Sequence, residues 1–111
     1  MADNGVTMAD TTALSETAKR YDAFRKSIPC VRRPNLLCFT RGIAATFPDQ
    51  IPSILATVKE FSVFTEANDP WHEHDFGAFE YEGEKIIWKI DDYGGHDGYE
   101  LIMTVMLASE Y

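Results

Sequence analysis

Hydrophobic residues recur at helical spacing in two stretches of the chain, and each stretch predicts a helix. The first runs from Thr12 to Ile28 and ends before Pro29, which cannot continue a helix. Its apolar face consists of Leu14, Ala18, Tyr21 and Ile28, and the stripe passes through either Phe24 or Arg25 between the last two. Its solvated face carries Lys19, Arg20, Arg25 and Lys26. The second helix begins near Pro48, which suits a first turn, and its apolar face consists of Ile51, Ile54, Leu55, Val58 and Phe61.

Four shorter apolar stretches are typical of β-strands. They cover residues 36–40, 76–81, 84–91 and 101–107, and the last is apolar on both faces. The order α-β-α-β-β-β predicts an α+β domain in which two helices pack on a mostly antiparallel sheet of about four strands. Residues 1–11 lack this patterning and are expected to form a flexible tail, so residues 12–111 are expected to form a single domain.

A Glu-Gly dipeptide at residues 82–83 predicts a tight turn between the second and third strands. Counting outward from this turn gives the register of the hairpin. Gly77 then lies opposite Trp88, where the absent side chain leaves room for the indole, and Trp88 is expected in the core. Continuing the count places His74 beside Asp91 on neighbouring strands.

Charge is distributed unevenly along the chain. Residues 1–48 contain seven Lys/Arg and four Asp/Glu, a net charge of +3, whereas residues 49–111 contain three and fourteen, a net charge of −11. A surface this acidic repels phosphate backbones, which argues against direct nucleic-acid binding. It attracts basic surfaces, so the expected partner is a basic protein surface.

No apolar run is long enough to span a membrane, and no basic segment followed by an apolar stretch marks a secretory leader. These features predict a cytoplasmic protein that does not bind membranes. Cys30 and Cys38 flank a bend at Pro34, so a disulfide between them is one alternative. Reduced thiols are favoured, because disulfides are rare in the cytoplasm. No cofactor is expected, since no standard cofactor or metal motif is present.

The densest group of polar side chains lies between Asn68 and Gly77, in the sequence Asn-Asp-Pro-Trp-His-Glu-His-Asp-Phe-Gly. One interpretation is a metal site, because imidazoles and carboxylates are metal ligands and alternate residues of a strand share a face. Its ligands would be His72, His74 and Asp91, with His96 and Asp97 completing the shell. A second interpretation is an acid/base pair of His74 and Asp91, in which the carboxylate orients the imidazole for proton transfer.

A third interpretation is a structural clasp. Asn and Asp side chains before a proline accept backbone N–H groups and so stabilise a turn. The residues of this clasp would be Asn68, Asp69, Glu73, His74 and Asp75. The clasp is favoured over the metal site and the acid/base pair, because no nucleophile and no standard ligand spacing accompany the histidines.

Three linked motifs resemble a small bacterial family of unknown function. Its members read Asn-Asp-Pro-x-x-Glu-His-Asp-Phe-Gly, Trp-Lys-Ile-Asp-x-Tyr and Thr-x-Met-Leu-Ala-x-Glu-Tyr, which match residues 68–77, 88–93 and 104–111. Relatives carry a second Tyr in place of Asp92, followed by a longer segment where this chain has residues 94–98. The resemblance implies no established activity. The family's occurrence on plasmids and other mobile elements implies an accessory or anti-defence role.

These features favour a small acidic, non-enzymatic interaction protein. Its acidic half, residues 49–111, would dock on a basic surface of a nucleic-acid-binding or defence protein and inhibit it. The expected binding residues are Glu80, Glu82, Glu84, Asp92 and Asp97. The alternative is a small metal-dependent or acid/base hydrolase centred on His72, Glu73, His74 and Asp75. A binder should spread its acids over one exposed face, whereas a hydrolase should bring the histidines and carboxylates together in a pocket.

Overall fold

The computed structural model describes residues 14–111. Its helices are α1 (Glu16–Ser27), α2 (Arg41–Thr46) and α3 (Ile51–Glu60), and its strands are β1 (Leu36–Phe39), β2 (Phe76–Tyr81), β3 (Glu84–Asp92) and β4 (Leu101–Leu107). Short 3₁₀ turns cover His96–Gly98 and Ala108–Glu110. The expected tail and the expected helix start at Thr12 lie outside the described residues. No helix within residues 14–111 has the length and apolar character that crossing a membrane requires.

The four strands form one sheet in the order β1-β4-β3-β2. β2 and β3, and β3 and β4, pair antiparallel, whereas β1 joins the sheet parallel to β4. This arrangement confirms the predicted α+β fold with a mostly antiparallel sheet of four strands. Asn35 directly precedes β1, and its side-chain oxygen accepts the backbone N–H of Leu101, the first residue of β4, at 3.1 Å. This hydrogen bond fixes the parallel pair in register.

The β2–β3 hairpin has the register that the sequence predicts, with Gly77 opposite Trp88. Its two turn residues, Glu82 and Gly83, have φ angles of 48° and 85°. Two left-handed residues in succession make the turn whose twist matches that of the flanking strands. The turn chemistry therefore determines which residues of β2 and β3 face each other.

The helices differ from the prediction in number and in one boundary. α2 is an additional helix of six residues, begun by Thr40, whose hydroxyl oxygen accepts the N–H of Ile43 at 3.4 Å. It buries only Ile43, so it has no apolar periodicity to recognise. α3 begins at Ile51 rather than near Pro48, because the chain first makes a turn in which Gln50 N–H bonds the carbonyl of Phe47.

The core lies between the helices and one face of the sheet. That face carries Ile86, Trp88 and Ile90 of β3. Trp88 is completely buried, and the rings of Phe61 and Phe64 meet its indole edge-on at 5.5 and 6.2 Å. A side chain at position 77 would overlap the indole, so the glycine is required by this close approach. Both cysteines are free thiols.

Candidate functional site

A buried carboxylate organises the loop that joins α3 to β2. Asp69 is only 4% exposed, and its side chain accepts the backbone N–H groups of Glu73 at 3.0 Å and of His74 at 3.3 Å. Beside it, the side-chain oxygen of Asn68 accepts the N–H of Thr65 at 2.8 Å. These acceptors satisfy backbone donors that no strand or helix pairs. Asn68 and Asp69 thus occupy the positions expected of a clasp.

The two histidines of this loop have left-handed backbone conformations, with φ of 55° at His72 and 60° at His74. Such a conformation costs roughly 1–2 kcal/mol for a residue with a side chain. The loop therefore does not continue β2, which begins at Phe76. The imidazole of His72 points to solvent, 3.1 Å from the carboxylate of Glu66, whereas His74 is largely buried. The expected strand alternation, which would aim both histidines at one metal, is absent.

His74 is enclosed by an aromatic ring and two carboxylates. Its imidazole stacks on Phe64 with a centroid distance of 3.8 Å and an interplanar angle of 3°. Its Nδ1 lies 3.0 Å from both carboxylate oxygens of Asp22 on α1, and its Nε2 lies 3.8 Å from Asp69. The ring thus fastens the loop to the first helix, and both of its nitrogens face acceptors that belong to the protein.

The expected pairing of His74 with Asp91 is wrong. Asp91 alternates with the core residue Ile90, so its side chain lies on the sheet face opposite the helices. There it pairs with Lys89 at 2.5 Å. The register of the strands themselves is as predicted, but the left-handed turn at His74 directs its side chain towards α1. The dyad of the acid/base interpretation is therefore not formed.

Arg25 extends the contacts of His74 into a buried network. It is 2% exposed and donates to the Asp22 carboxylate at 2.7 Å and to the carbonyl of Phe61 at 3.0 Å. Its guanidinium also lies 5.4 Å from the ring centroids of Phe64 and Trp88, within the range of cation–π attraction. The assignment of Arg25 to a solvated helix face is thus wrong, because it occupies the apolar stripe beside Phe24.

The network controls the ionisation of Asp22. Burial alone would raise the pKa of this carboxyl, but hydrogen bonds from Arg25 and His74 outweigh burial and hold the pKa of Asp22 below its usual value. Asp22 is therefore charged at neutral pH and compensates the buried guanidinium. A cleft of about 450 Å³ lies beside the network and is also lined by the exposed Lys26 and Lys59.

The other residues of the predicted clasp and hydrolase centre do not converge on His74. The carbonyl of Asp75 accepts the N–H of Ile90 at 2.8 Å, which extends the β2–β3 ladder by one bond, and burial raises the pKa of its carboxyl. His96 is exposed and lies 3.8 Å from Asp97 in a separate turn. Within residues 14–111, no three His, Cys, Asp or Glu side chains are grouped closely enough to hold a metal ion.

The five predicted binding acids fall into two groups. Glu80, Glu82 and Glu84 are exposed at the turn of the β2–β3 hairpin, which we call the acidic tip. Asp92 lies at the far end of β3, eight residues from Glu84, or about 26 Å in an extended strand. A hydrogen bond from Arg20 at 2.8 Å lowers the pKa of Asp92 and engages its carboxylate. Asp97 lies in the exposed turn after β3, so these five acids do not form one face.

The sequence interpretation missed Asp22, and it named Arg25 only as a residue of the first helix, without a role in a site. Their spacing of three residues within a helix places both side chains on one face, and Arg25 falls on the apolar stripe. An arginine on the apolar stripe, three residues from an aspartate, was the feature of the sequence that indicated a buried ion pair. The partner of Asp22 could not be inferred, because His74 lies 52 residues away in the chain.

Comparison with protein-family models identifies a family that this chain matches. A family model described as "Protein of unknown function (DUF3768)" matches residues 39–101, more than half of the chain. Neither the curated proteins nor the solved structures include a significant match.

Proposed function

Because this chain belongs to the DUF3768 family, whose description gives no activity, we propose its function from geometry: a non-enzymatic protein that binds a basic protein surface through the acidic tip. The observation that carries this proposal is the exposure of Glu80, Glu82 and Glu84 within five residues of a rigid hairpin. Three carboxylates on a short, well-paired turn present a fixed negative charge at little conformational cost.

The acidic tip differs from three acids that the fold uses for its own contacts. Asp22 neutralises Arg25, Asp69 binds backbone N–H groups, and Asp92 joins β3 to Arg20 on α1. In the described part of the chain, the tip glutamates make no salt bridge within 4.0 Å, although Lys85 lies opposite Glu80 in the register. Acids that the fold does not need are available for a partner.

The surroundings of His74 support a binding protein over a hydrolase. A general base needs a ring nitrogen within reach of the substrate proton. Here Asp22 and Asp69 face both nitrogens, and Phe64 covers one ring face. The cluster thus fits a structural role, and the acidic tip lies on a different part of the molecule.

We extend the proposal to the kind of partner. A protein that binds nucleic acid presents a basic surface to phosphates, and an acidic tip seated there would compete with them. A cytoplasmic defence protein that recognises foreign nucleic acid has such a surface. This inhibitory, anti-defence role agrees with what the resemblance to a family on mobile elements implies.

The charge-reversed variant E80K/E82K/E84K is expected to lose its partner while it keeps its fold, since the three residues are exposed in or beside a turn. The full chain is used to capture proteins from a host lysate, and the association rate of each captured protein is measured as salt is raised. For the unmodified chain we expect the rate to fall about tenfold between about 20 and about 300 mM salt, because screening shortens the reach of surface charge.

A matched control separates local charge from net charge. E16K/D49K/E66K also replaces three exposed acids, so both triple variants change the formal charge from −8 to −2, with +2 per substitution. The control should retain binding, and H74A should also retain it provided that the domain folds. If binding is insensitive to salt and E80K/E82K/E84K still binds, the acidic tip is not the docking site.

A further inference from the structure

β2 is an edge strand of the sheet, and half of its backbone groups are directed away from β3. Ile90 N–H donates to the Asp75 carbonyl at 2.8 Å, so the backbone groups of Asp75 point inward, towards β3. Inward and outward residues alternate along an antiparallel strand. The outward residues are therefore Phe76, Ala78 and Glu80. Within residues 14–111, no other strand pairs with their outward N–H and C=O groups, and this edge, called the free edge, can pair with another strand.

An open groove runs beside this edge, between β2 and α3. Its volume is about 600 Å³, and its lining includes Ser53, Ala56, Ser62, Val63, Ala78 and Phe79. Most of these side chains are small, so a second backbone can approach closely. Val63 is 62% exposed, which leaves an apolar side chain available for contact.

The charges around the groove indicate the chemistry of its occupant. The side chain of Glu80 lies on the sheet face opposite the groove, because it alternates with Phe79, and the rest of the acidic tip follows directly. An occupant with lysine or arginine on alternate residues would place those side chains beside Glu80 and the acidic tip. Its intervening apolar side chains would face the groove, because the side chains of a strand alternate between faces.

We propose that β2 binds an extended, basic segment of a partner protein as a fifth strand, with the apolar side chains of that segment in the groove against α3. This inference rests on the proposed function and specifies how the partner is bound. A second copy of this chain is disfavoured as the occupant, because residues 49–111 carry a net charge of −11 and two such surfaces repel.

The test measures backbone amide exchange by NMR on the full chain. The probe is a blocked octapeptide of alternating lysine and valine, added at low salt. We expect exchange to slow at least about tenfold at Phe76, Ala78 and Glu80, because their free groups become hydrogen-bonded. Gly77 and Phe79 already bond to β3 and should change little. Absence of peptide binding, or binding without slowing at the three outward amides, would overturn the proposal.

Two comparisons separate strand pairing from charge attraction. A peptide of the same charge, N-methylated on alternate residues, lacks donors along one edge and should bind about tenfold more weakly. The variant A78P removes an outward donor of β2 while leaving the ladder to β3 intact, and should weaken binding similarly. Retained protection of Gly77 and Phe79 verifies that its hairpin still folds.

The outcomes distinguish this inference from the proposed function. If the methylated peptide and A78P bind as well as their parents but E80K/E82K/E84K does not, the acidic tip binds a partner and strand pairing is wrong. If E80K/E82K/E84K binds normally while the outward amides remain protected, strand pairing stands and the role of the acidic tip is wrong.

Discussion

Replacing Trp88 with alanine is expected to lower the free energy of unfolding by about 3–5 kcal/mol. The indole is fully buried at the centre of the sheet, where it contacts the backbone of Gly77 and the rings of Phe61 and Phe64. Gly77, held in a paired strand, has no side chain that could fill the cavity left by the indole. Urea denaturation, followed by circular dichroism, measures the change.

The variant Trp88→Phe is the matched comparison. It keeps a ring in the site and removes the indole N–H, which has no hydrogen-bond partner among the described residues. We expect it to cost less than half as much as alanine. A shift of less than about 1 kcal/mol for Trp88→Ala would mean that the indole is exposed in solution, where it could belong to a binding surface.

The second large effect is expected for Asp22→Asn, which should also cost about 3–5 kcal/mol at neutral pH. The amide keeps the size of the carboxylate but leaves the guanidinium of Arg25, whose side chain is 3% exposed, without a countercharge. It also removes the anion that faces Nδ1 of His74. The measurement is the free energy of unfolding at a series of pH values.

The pH series tests the direction in which the stability from Asp22 changes with pH, as well as the size of that change. The pKa of Asp22 is lower in the folded chain than in the unfolded chain, so the unfolded state binds more protons in acid. The stability from Asp22 is therefore present above about pH 4, the ordinary pKa of Asp, and is lost as pH falls towards the folded pKa. Asp22→Asn should show a shallower loss of stability in this range.

Asp92→Asn provides the control. Arg20 lowers the pKa of Asp92, as Arg25 lowers that of Asp22, but the side chain of Asp92 is 39% exposed. An exposed ion pair contributes about 1 kcal/mol or less. Equal effects of the two substitutions would contradict a specific role for the buried network.

The hairpin could be predicted from the sequence because its determinants are local. A Glu-Gly turn sets the register residue by residue, and the alternation of apolar and charged residues from Trp88 to Asp91 indicates which face of β3 is buried. The match of Trp88 with Gly77 follows from both. α2 could not be predicted, since a helix that buries only Ile43 has no pattern to read.

The buried network could not be predicted as a whole, because His74 lies 52 residues from Asp22 in the chain. Asp22 and Arg25 form an i, i+3 pair, a spacing that is also common on solvated helix faces. The error at His74 has a different cause: the register was extended past the end of β2, where the backbone becomes left-handed. A left-handed residue directs its side chain to a different side of the backbone, so a count of residues along the strand no longer predicts which face that side chain occupies.

The parallel pairing of β1 with β4 has a consequence for how the chain folds. The hydrogen bond that begins this pair joins residues 66 positions apart, whereas the β2–β3 hairpin closes over a two-residue turn. Long loops must be closed before such distant contacts contribute, so we expect the hairpin to form before β1 docks. On the ribosome, the apolar residues of β1 emerge well before β4 is synthesised. The sheet therefore cannot complete its last pairing until residues 101–107 have been synthesised.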